Sequence, residues 1–173
     1  AFVSITLPEG ITSIAQYTFC KCHKLRSIVI PDSVTSIGAS AFDECYVLQS
    51  IAMPNKLASI GKYAFRYCYA LPNIVLPESF TSLGHGAFIH CRGLSFVAVL
   101  GGLSSFGDGP NFQYCYGVGF YDFTKYSAVP TLGSTSVFYK MPDDCEFRVP
   151  AALYDEWIAA EIWSEYASQI VAA

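Results

Sequence analysis

The stretch that decides the fold is Leu25–Phe42, which reads LRSIVIPDSVTSIGASAF and is followed three residues later by Cys45. The same pattern of apolar residues, proline, glycine and Ala-Phe returns at Leu48–Phe65 (LQSIAMPNKLASIGKYAF) and at Leu71–Phe88 (LPNIVLPESFTSLGHGAF). The prolines that mark the period stand 23 residues apart, at Pro8, Pro31, Pro54 and Pro77. A fixed period of this length is typical of a solenoid, whose units stack because no single unit can bury its apolar face.

The composition fits one globular domain and narrows the classes of function. Of the 173 residues, 53% are hydrophobic and 14% are charged, and the net charge is −4. The basic residues and histidines form no cluster along the sequence, and no run of about eighteen apolar residues could span a bilayer. We therefore expect neither nucleic acid binding nor membrane insertion. The chain begins at Ala1 without a signal-peptide core, so we expect a trimmed or mature fragment.

Each unit predicts one parallel strand and one return path. Ile28–Ile30 alternates as a strand with its two isoleucines facing the core. Pro31 ends the strand, Gly38 is expected to supply a backbone with positive φ, and Ala41-Phe42 fits a short helical turn on the outer side. Since parallel crossovers are right-handed, the sequence predicts a right-handed α/β repeat solenoid with a parallel concave sheet and short helical turns on the convex side.

The phase of the repeat survives in the degenerate later units. The second apolar strand position lies eleven residues after the phenylalanine of the repeat, as in Phe42 to Met53, Phe88 to Val99, Phe112 to Phe123 and Phe138 to Val149. We therefore expect about seven short strands, from Val3–Leu7 to Phe147–Val149. Stacking of the units predicts one core row at Phe19, Phe42, Phe65, Phe88, Phe112 and Phe138, and a second at Ile28, Ile51, Ile74 and Val97.

After Pro150 the apolar spacing becomes helical. Leu153 and Trp157 recur behind this proline, and Tyr166 with Ile170 recurs behind Ser164, a good N-cap. The last rung of a solenoid leaves its core open and needs a cap. We therefore predict a repeat region over residues 1–150 and a small helical cap over residues 151–173.

The repeated phrase resembles the BspA-like, or treponemal-type, leucine-rich repeat. The resemblance rests on Leu-x-x-Ile-x-Ile-Pro, Ile-Gly-x-x-Ala-Phe and x-x-Cys, close over residues 1–100 and looser over residues 101–150. The tail, with Val149-Pro150 and WSEYA from Trp163, is similar to the carboxy-terminal end of such proteins from gut anaerobes. The resemblance implies an extracellular or cell-surface bacterial protein that binds a host or neighbouring-cell protein or glycan, and it supplies no catalytic residues.

Cysteine occupies one position of the repeat in five units, at Cys22, Cys45, Cys68, Cys91 and Cys115. Stacking places these thiols in a line, whereas zinc needs about four converging ligands, and parallel Cβ vectors suit disulfides poorly. We interpret them as buried free thiols, and expect Cys20 and Cys145, outside this line, to be the reactive ones. No base oriented by a third group accompanies a nucleophile. The sequence therefore predicts no enzyme, no metal and no cofactor.

The candidate binding site consists of outward strand positions in the carboxy-terminal half. Read by phase, Phe96 and Phe120 become neighbours on the concave face, beside Asp122, Glu146 and Arg148. An apolar patch with a polar rim is typical of a binding site. The alternative is that the long loops of the chain cover both rings.

A second candidate surface follows the line of cysteines. Tyr46, Tyr69 and Tyr116 flank it along one edge, together with Tyr67 and Tyr114. Amphipathic rings at this edge could bind glycans or a protein, or could shield the edge. The sequence favours a non-enzymatic binding module that recognises a protein or glycan, and the alternative is a structural spacer within a larger surface protein.

Overall fold

The computed structural model describes residues 3–107 and 109–173, so Ala1 and Phe2 of the predicted repeat region lie outside the described residues. The described strands pair in parallel throughout. In chain order they are β1 (Val3–Thr6), β2 (Ser13–Ile14), β3 (Leu25–Val29), β4 (Ser36–Ile37), β5 (Ser50–Ile51), β6 (Ser59–Ile60), β7 (Asn73–Leu76), β8 (Ser82–Leu83), β9 (Phe96–Val99), β10 (Phe120–Asp122), β11 (Glu146–Val149) and β12 (Ile170–Ala172). The predicted α/β repeat solenoid is confirmed.

The predicted concave sheet, called the front sheet below, holds one strand per rung. Its first part has the order β1-β3-β5 and its second part the order β7-β9-β10-β11-β12. The seven predicted strands are present, and the tail of the chain adds β12 as an eighth. Outward side chains line up across the strands, since Ser4 pairs with Ser27 and Asn73 pairs with Phe96.

The front sheet is divided at Pro72. In the rung before it, the Gln49 N–H donates to the Arg26 carbonyl at 2.8 Å, and in the rung after it, the Ser95 N–H donates to the Pro72 carbonyl at 2.8 Å. Pro72 occupies the same position between them and has no N–H to donate. The ladder therefore stops between β5 and β7, and Ile51 is only partly buried there.

A second parallel sheet, called the back sheet, was not predicted. It has the order β2-β4-β6-β8, and each strand is two residues long. In β4, Ile37 is 1% exposed and faces the core, while Ser36 is partly exposed. Each of the first four rungs thus closes its core with two short strands instead of one.

The prediction of helical turns on the convex side is wrong for the regular rungs. Ser40 and Glu44 have φ values of 50° and 61°, outside the helical region. N–H groups alternate between partners: that of Phe42 donates to the Ala64 carbonyl of the next rung at 2.7 Å, and that of Cys45 donates within the rung, to the Phe42 carbonyl at 3.1 Å. Tight turns replace a helix because half of their N–H groups join adjacent rungs.

The prediction that Gly38 supplies a backbone with positive φ is wrong, because positive φ values occur at other positions of the repeat. A Cβ atom on Gly38 would lie 2.6 Å from the Gln16 nitrogen, and one on Gly61 would lie 2.6 Å from the Ala39 nitrogen. Glycine is therefore needed for the close approach of adjacent rungs.

The core contains the predicted row of phenylalanines. Neighbouring rings stack with centroids 5.1 to 5.7 Å apart and interplanar angles of 4° to 15°. Phe19, in the first of these rungs, is partly buried, and the other members are at most 1% exposed. The row predicted from Ile28 to Val97 is also buried, except at Ile51 beside the divided sheet.

The tail consists of short helices followed by a strand. The helices are two 3₁₀ segments, Ala151–Leu153 and Trp163–Gln169, and the α-helix α1 (Tyr154–Ala159). The helix predicted from Ser164 to Ile170 is wrong at both ends, because Ile162 is the N-cap and Ile170 belongs to β12, which extends the sheet beside β11. Within residues 3–107 and 109–173, no helix combines the length and hydropathy needed to cross a membrane.

Candidate functional site

The candidate site lies on the outward face of the front sheet, where three strands hold its side chains in register. Phe96 of β9 pairs with Phe120 of β10, which pairs with Glu146 of β11. In the neighbouring row, Asp122 pairs with Arg148. The strand period of two residues places both rows on one face. The structure therefore brings together all the residues predicted for this site, which we call the front patch (Phe96, Phe120, Asp122, Glu146 and Arg148).

The centre of the front patch is a three-layer stack. The rings of Phe96 and Phe120 are parallel within 5°, with centroids 5.3 Å apart. The guanidinium carbon of Arg148 lies 3.7 Å from the centroid of Phe120, which is within the range of a cation–π contact. Parallel β-strands about 4.8 Å apart impose this ring spacing, so the stack follows from the register.

The charged groups around the stack have different partners. Arg148 Nε donates to Glu146 Oε2 at 3.0 Å, and the side chains are 40% and 44% exposed. Such an exposed ion pair contributes at most about 1 kcal/mol to stability, and its main effect here is to orient the guanidinium over Phe120. Asp122 Oδ1 accepts from the Thr124 N–H at 3.0 Å and from its hydroxyl at 2.7 Å. Among the described residues Asp122 forms no ion pair.

The two rings of the front patch are half-buried and lie outside the hydrophobic core. The loops after β9 and β10 line a separate cavity of about 450 Å³, formed by Leu100–Ser104, Lys125–Pro130 and Glu78. Neither phenylalanine lines that cavity. Stacking of the rings on each other and on Arg148 accounts for their partial burial, which favours the interpretation as an open patch.

The amino-terminal half of the front face offers smaller side chains. Val29 is 60% exposed and Val75 is 41% exposed. A cleft of about 240 Å³ opens between the rungs of Met53 and Val75, where Pro72 divides the sheet. This cleft was not predicted, although a proline at a ladder position is a signal from which it could have been inferred.

The predicted tyrosine edge is built from two rows of the cysteine-containing turns. In the first row, the rings of His23 and Tyr46 stack at 4.6 Å and those of Tyr46 and Tyr69 at 5.3 Å. The Arg92 guanidinium carbon lies 5.3 Å from the Tyr69 centroid. Tyr116, at the same position of the next rung, is 52% exposed. The three predicted tyrosines thus share one row.

The second row runs beside the first and was only partly foreseen. His90 stacks between Tyr67 at 4.8 Å and Tyr114 at 4.4 Å. Burial lowers the pKa of His90, so its ring is neutral at physiological pH. Tyr114 contacts Tyr116 edge to face at 6.0 Å, which joins the two rows. We call both rows together, with their flanking basic residues, the turn edge (Lys21, His23, Lys24, Glu44, Tyr46, Lys62, Arg66, Tyr67, Tyr69, His90, Arg92, Tyr114 and Tyr116).

Basic residues do cluster on the turn edge, contrary to the impression from the sequence. Arg66 lies 4.8 Å from the Tyr63 centroid and 5.2 Å from that of Tyr67, and Lys62 Nζ lies 4.9 Å from the Tyr63 centroid. Residues 23 positions apart become neighbours in adjacent rungs, so a count along the chain does not reveal the cluster. A hydrogen bond to Asp43 raises the pKa of Arg66.

The thiols are free in all seven cysteines. Cys68 Sγ donates to the Phe42 carbonyl at 3.2 Å, and Cys91 repeats this bond to Phe65 at 3.0 Å. Burial raises the pKa of both thiols far above the usual range. The prediction for Cys145 is wrong, because its side chain is 1% exposed and burial raises its pKa to about 12. The Cys145 N–H donates to the Pro142 carbonyl, three residues earlier, just as the Leu48 N–H donates to the Cys45 carbonyl. Cys145 thus fills the buried position that leucine has in earlier rungs.

No group of three or more His, Cys, Asp or Glu side chains within the described ranges is placed to hold a metal ion. The acidic pair Asp143-Asp144 is exposed in a turn.

Comparison with known proteins places the chain among bacterial repeat proteins. A sequence profile of the BspA type leucine-rich repeat region matches residues 1–118 in six copies. Among solved structures the chain is similar to the pneumococcal vaccine antigen PcpA, with 19% identity and a TM-score of 0.72, over 98% of this chain and 39% of that one. It is also similar to a leucine-rich repeat protein of T. pallidum, with 25% identity and a TM-score of 0.58, over 82% and 79% of the two chains. No curated protein matches the sequence.

Proposed function

The chain belongs to the BspA type leucine-rich repeat family, and from this premise we propose that it is a non-enzymatic binding module, located at the bacterial cell surface or secreted. Its partner is a surface molecule of a host or neighbouring cell. The family is one of protein-interaction repeats, and the pneumococcal protein of the same fold is described as a vaccine antigen. The chain spans 39% of that protein, so the activity of a whole surface protein is part of this proposal.

The observation that carries the proposal is the stack of Phe96, Phe120 and Arg148 on the front sheet. Aromatic residues and arginine supply most of the binding energy in protein interfaces, and they do so from the centre of a patch with a polar rim. The front patch has this composition, with Asp122 and Glu146 at its rim. It therefore favours a protein partner over a glycan, because both faces of the Phe120 ring are already covered.

Pre-organisation adds a second argument for this patch. The three strands that carry it are hydrogen-bonded neighbours in one sheet, so its side chains need little ordering when a partner arrives. The outward residues of the first rungs, such as Ser4, Ser27 and Ala52, offer area without large anchors. Binding is therefore centred on the carboxy-terminal half of the front face.

The experiment measures binding of the labelled chain to cultured epithelial cells, to neighbouring bacterial cells and to immobilised extracellular-matrix proteins. The variant carries Phe96→Ser and Phe120→Ser. We expect it to fold like the parent, because both rings lie outside the core, and to bind about 30-fold more weakly, the equivalent of about 2 kcal/mol.

A matched control carries Val29→Ser and Val75→Ser, which removes exposed apolar surface from the same sheet face outside the patch. We expect this variant to bind within about threefold of the parent, as exposed substitutions outside a binding centre usually do. Equal binding by the phenylalanine variant and the parent would move the site away from the front patch. Failure of the parent to bind any of these surfaces would favour the alternative, a structural spacer of a larger surface protein.

A further inference from the structure

The turn edge carries positive charge on a chain whose net charge is −4. Lys21, Lys24, Lys62 and Arg92 are exposed along it. Two acidic residues lie nearby: Asp43 offsets the charge of Arg66, and Glu44 keeps its own negative charge in the second rung. Asp43 is 3% exposed and holds Arg66 through bonds of 3.0 and 2.6 Å, and the Glu44 carboxylate accepts from the Tyr46 hydroxyl at 2.6 Å and lies 3.7 Å from His23.

The positive charge is bounded along the solenoid. It begins in the first rung at Lys21 and ends in the fourth rung at Arg92, and the fifth rung adds the uncharged rings of Tyr114 and Tyr116. In the next rung Lys140 is followed by the exposed acids Asp143 and Asp144. The edge is thus a strip of five rungs, about 19 Å long if four steps of about 4.8 Å separate them.

The aromatic rings of the turn edge present their rims to solvent. Tyr69 is covered on one face by Tyr46 and on the other by the Arg92 guanidinium, yet it is 37% exposed. Its exposed part is therefore the ring rim and the hydroxyl. An aromatic ring is electron-rich on its faces and positive at its rim. Stacking hides the faces, so rims, hydroxyl donors and cations together attract anions.

The backbone under one row is strained in a regular way. Lys21, Glu44, Tyr67, His90 and Tyr114 have φ values of 61° to 62°. This left-handed conformation costs a residue other than glycine about 1 to 2 kcal/mol. The chain nevertheless carries long or aromatic polar side chains at each of these positions. Lys140, in the rung beyond the turn edge, has the same φ of 62°, so this conformation is a property of the repeated turn that fixes where these side chains project.

We propose that the turn edge binds a linear anionic glycan, with carboxylate or sulfate groups spaced along it, lying parallel to the solenoid axis. Single-stranded nucleic acids need a run of exposed ring faces on which bases stack. Stacking covers those faces at Tyr46, Tyr69 and His90, and leaves Tyr116 as an isolated exposed ring. A protein partner needs an apolar centre that excludes water, and the edge is polar along its length. A hydroxyl-rich polyanion uses what the edge offers, since its acidic groups meet the cations and its hydroxyls meet the phenols. This surface is separate from the front patch and does not depend on it.

The test measures the affinity of the chain by calorimetry for a heparin-derived decasaccharide, which carries sulfate and carboxylate, and for a hyaluronate decasaccharide, which carries carboxylate alone. Neutral maltodecaose, a ten-residue thymidine oligonucleotide and a ten-residue glutamate peptide are the comparison ligands. We expect at least one acidic decasaccharide to bind, more tightly than all three comparison ligands. The preferred decasaccharide distinguishes sulfate recognition from carboxylate recognition.

Two double variants remove the same charge from different places. Lys21→Ser with Arg92→Ser should weaken binding of the acidic decasaccharide about tenfold, as expected for two exposed charge contacts. Lys56→Ser with Lys125→Ser removes two exposed lysines elsewhere and should change the affinity less than about twofold. The front-patch variant with Phe96→Ser and Phe120→Ser should bind the decasaccharide like the parent.

Several results would overturn the inference. Equal affinity for the oligonucleotide or the glutamate peptide would show attraction by charge alone or a different class of partner. Equal affinity for maltodecaose would remove the role of the anion. Equal weakening by the two double variants would show that the decasaccharide does not bind at the turn edge. Absence of binding to both acidic decasaccharides would refute the proposal.

Discussion

Phe65 lies at the centre of the stacked phenylalanine row, 5.1 Å from Phe42 and 5.3 Å from Phe88, and is fully buried. Its replacement by alanine removes ring contacts in three rungs at once. We expect Phe65→Ala to lower the free energy of unfolding in urea by about 3 to 5 kcal/mol, the usual cost for a buried aromatic residue. Val29→Ala is the control, because Val29 is exposed. A loss below about 1 kcal/mol at Phe65 would contradict the core assignment.

The buried thiols predict a stability that falls in alkaline solution. Burial raises the pKa of Cys115 to about 12 and those of Cys68 and Cys91 well above 9.0. Below about pH 8 both folded and unfolded thiols are protonated, so the full stability is present. Above pH 9 only the unfolded chain releases these protons, which favours unfolding by about 1.4 kcal/mol per thiol and pH unit.

Urea unfolding in the presence of a reducing agent at pH 7.5 and pH 10 checks this expectation. Cys68→Ala with Cys91→Ala is the comparison variant, and its stability should fall less steeply between the two pH values. A parent protein with the same free energy of unfolding at both pH values would show that the thiols are accessible in the folded state.

Contact between rungs depends on the glycine that begins the turn in the second, third and fourth rungs, at Gly38, Gly61 and Gly84. A Cβ on Gly61 would lie 2.6 Å from the Ala39 nitrogen and 2.8 Å from the Gly38 carbonyl carbon, so the backbones must separate. Gly61→Ala should therefore cost about 1 to 3 kcal/mol, as overpacking does. At Gly119 the nearest atom to an added Cβ is the Ser95 oxygen at 3.7 Å, an ordinary contact. Thermal unfolding should show a clear loss at Gly61 and little change for Gly119→Ala, and equal effects would contradict this explanation.

The positions of the strands along the chain could be predicted from the sequence, but the conformation of the turns between them could not. The 23-residue period and the eleven-residue step placed strands at Tyr121 and Phe147, because apolar residues must recur where the core recurs. The turns around Ala41-Phe42 differ from the predicted helical turns because every second N–H group there bonds to the next rung. Tertiary hydrogen bonds of this kind leave no local signal in the sequence.

The conformation of the last residues of the chain also depends on tertiary hydrogen bonds that the local sequence does not indicate. Tyr166 and Ile170 have helical spacing, and the 3₁₀ helix does run to Gln169. Ile170, however, pairs with Phe147 of β11, since the last strand has an open edge that accepts one more strand. Trp163 Nε1 donates to the Pro130 carbonyl at 2.7 Å, which fixes the segment before that strand. Only the presence of the open edge distinguishes strand from helix at this point.

At the scale of the whole molecule, the repeat converts distant residues into continuous surfaces. The front patch could be predicted because strand phase alone makes Phe96 and Phe120 neighbours, and the register confirms this placement. The position of Arg148 over Phe120 could not, because it depends on the side-chain bond to Glu146. The role of the patch in binding stays a prediction.

If both surfaces bind as proposed, two partners can bind the solenoid independently. The front patch is apolar at its centre, and the turn edge is polar and basic. A variant in one surface should therefore leave affinity at the other unchanged, since distant sites without shared contacts behave additively.

The central claim, that the protein binds its cell-surface partner through the front patch, is tested most directly by hydroxyl-radical footprinting of the chain, free and bound to the cells or matrix protein that capture it. Oxidation of Phe96 and Phe120 should fall severalfold on binding, while that of Tyr17, which is 61% exposed and lies in a turn of the first rung, should stay constant. Unchanged oxidation of both phenylalanines in the bound state would contradict the account.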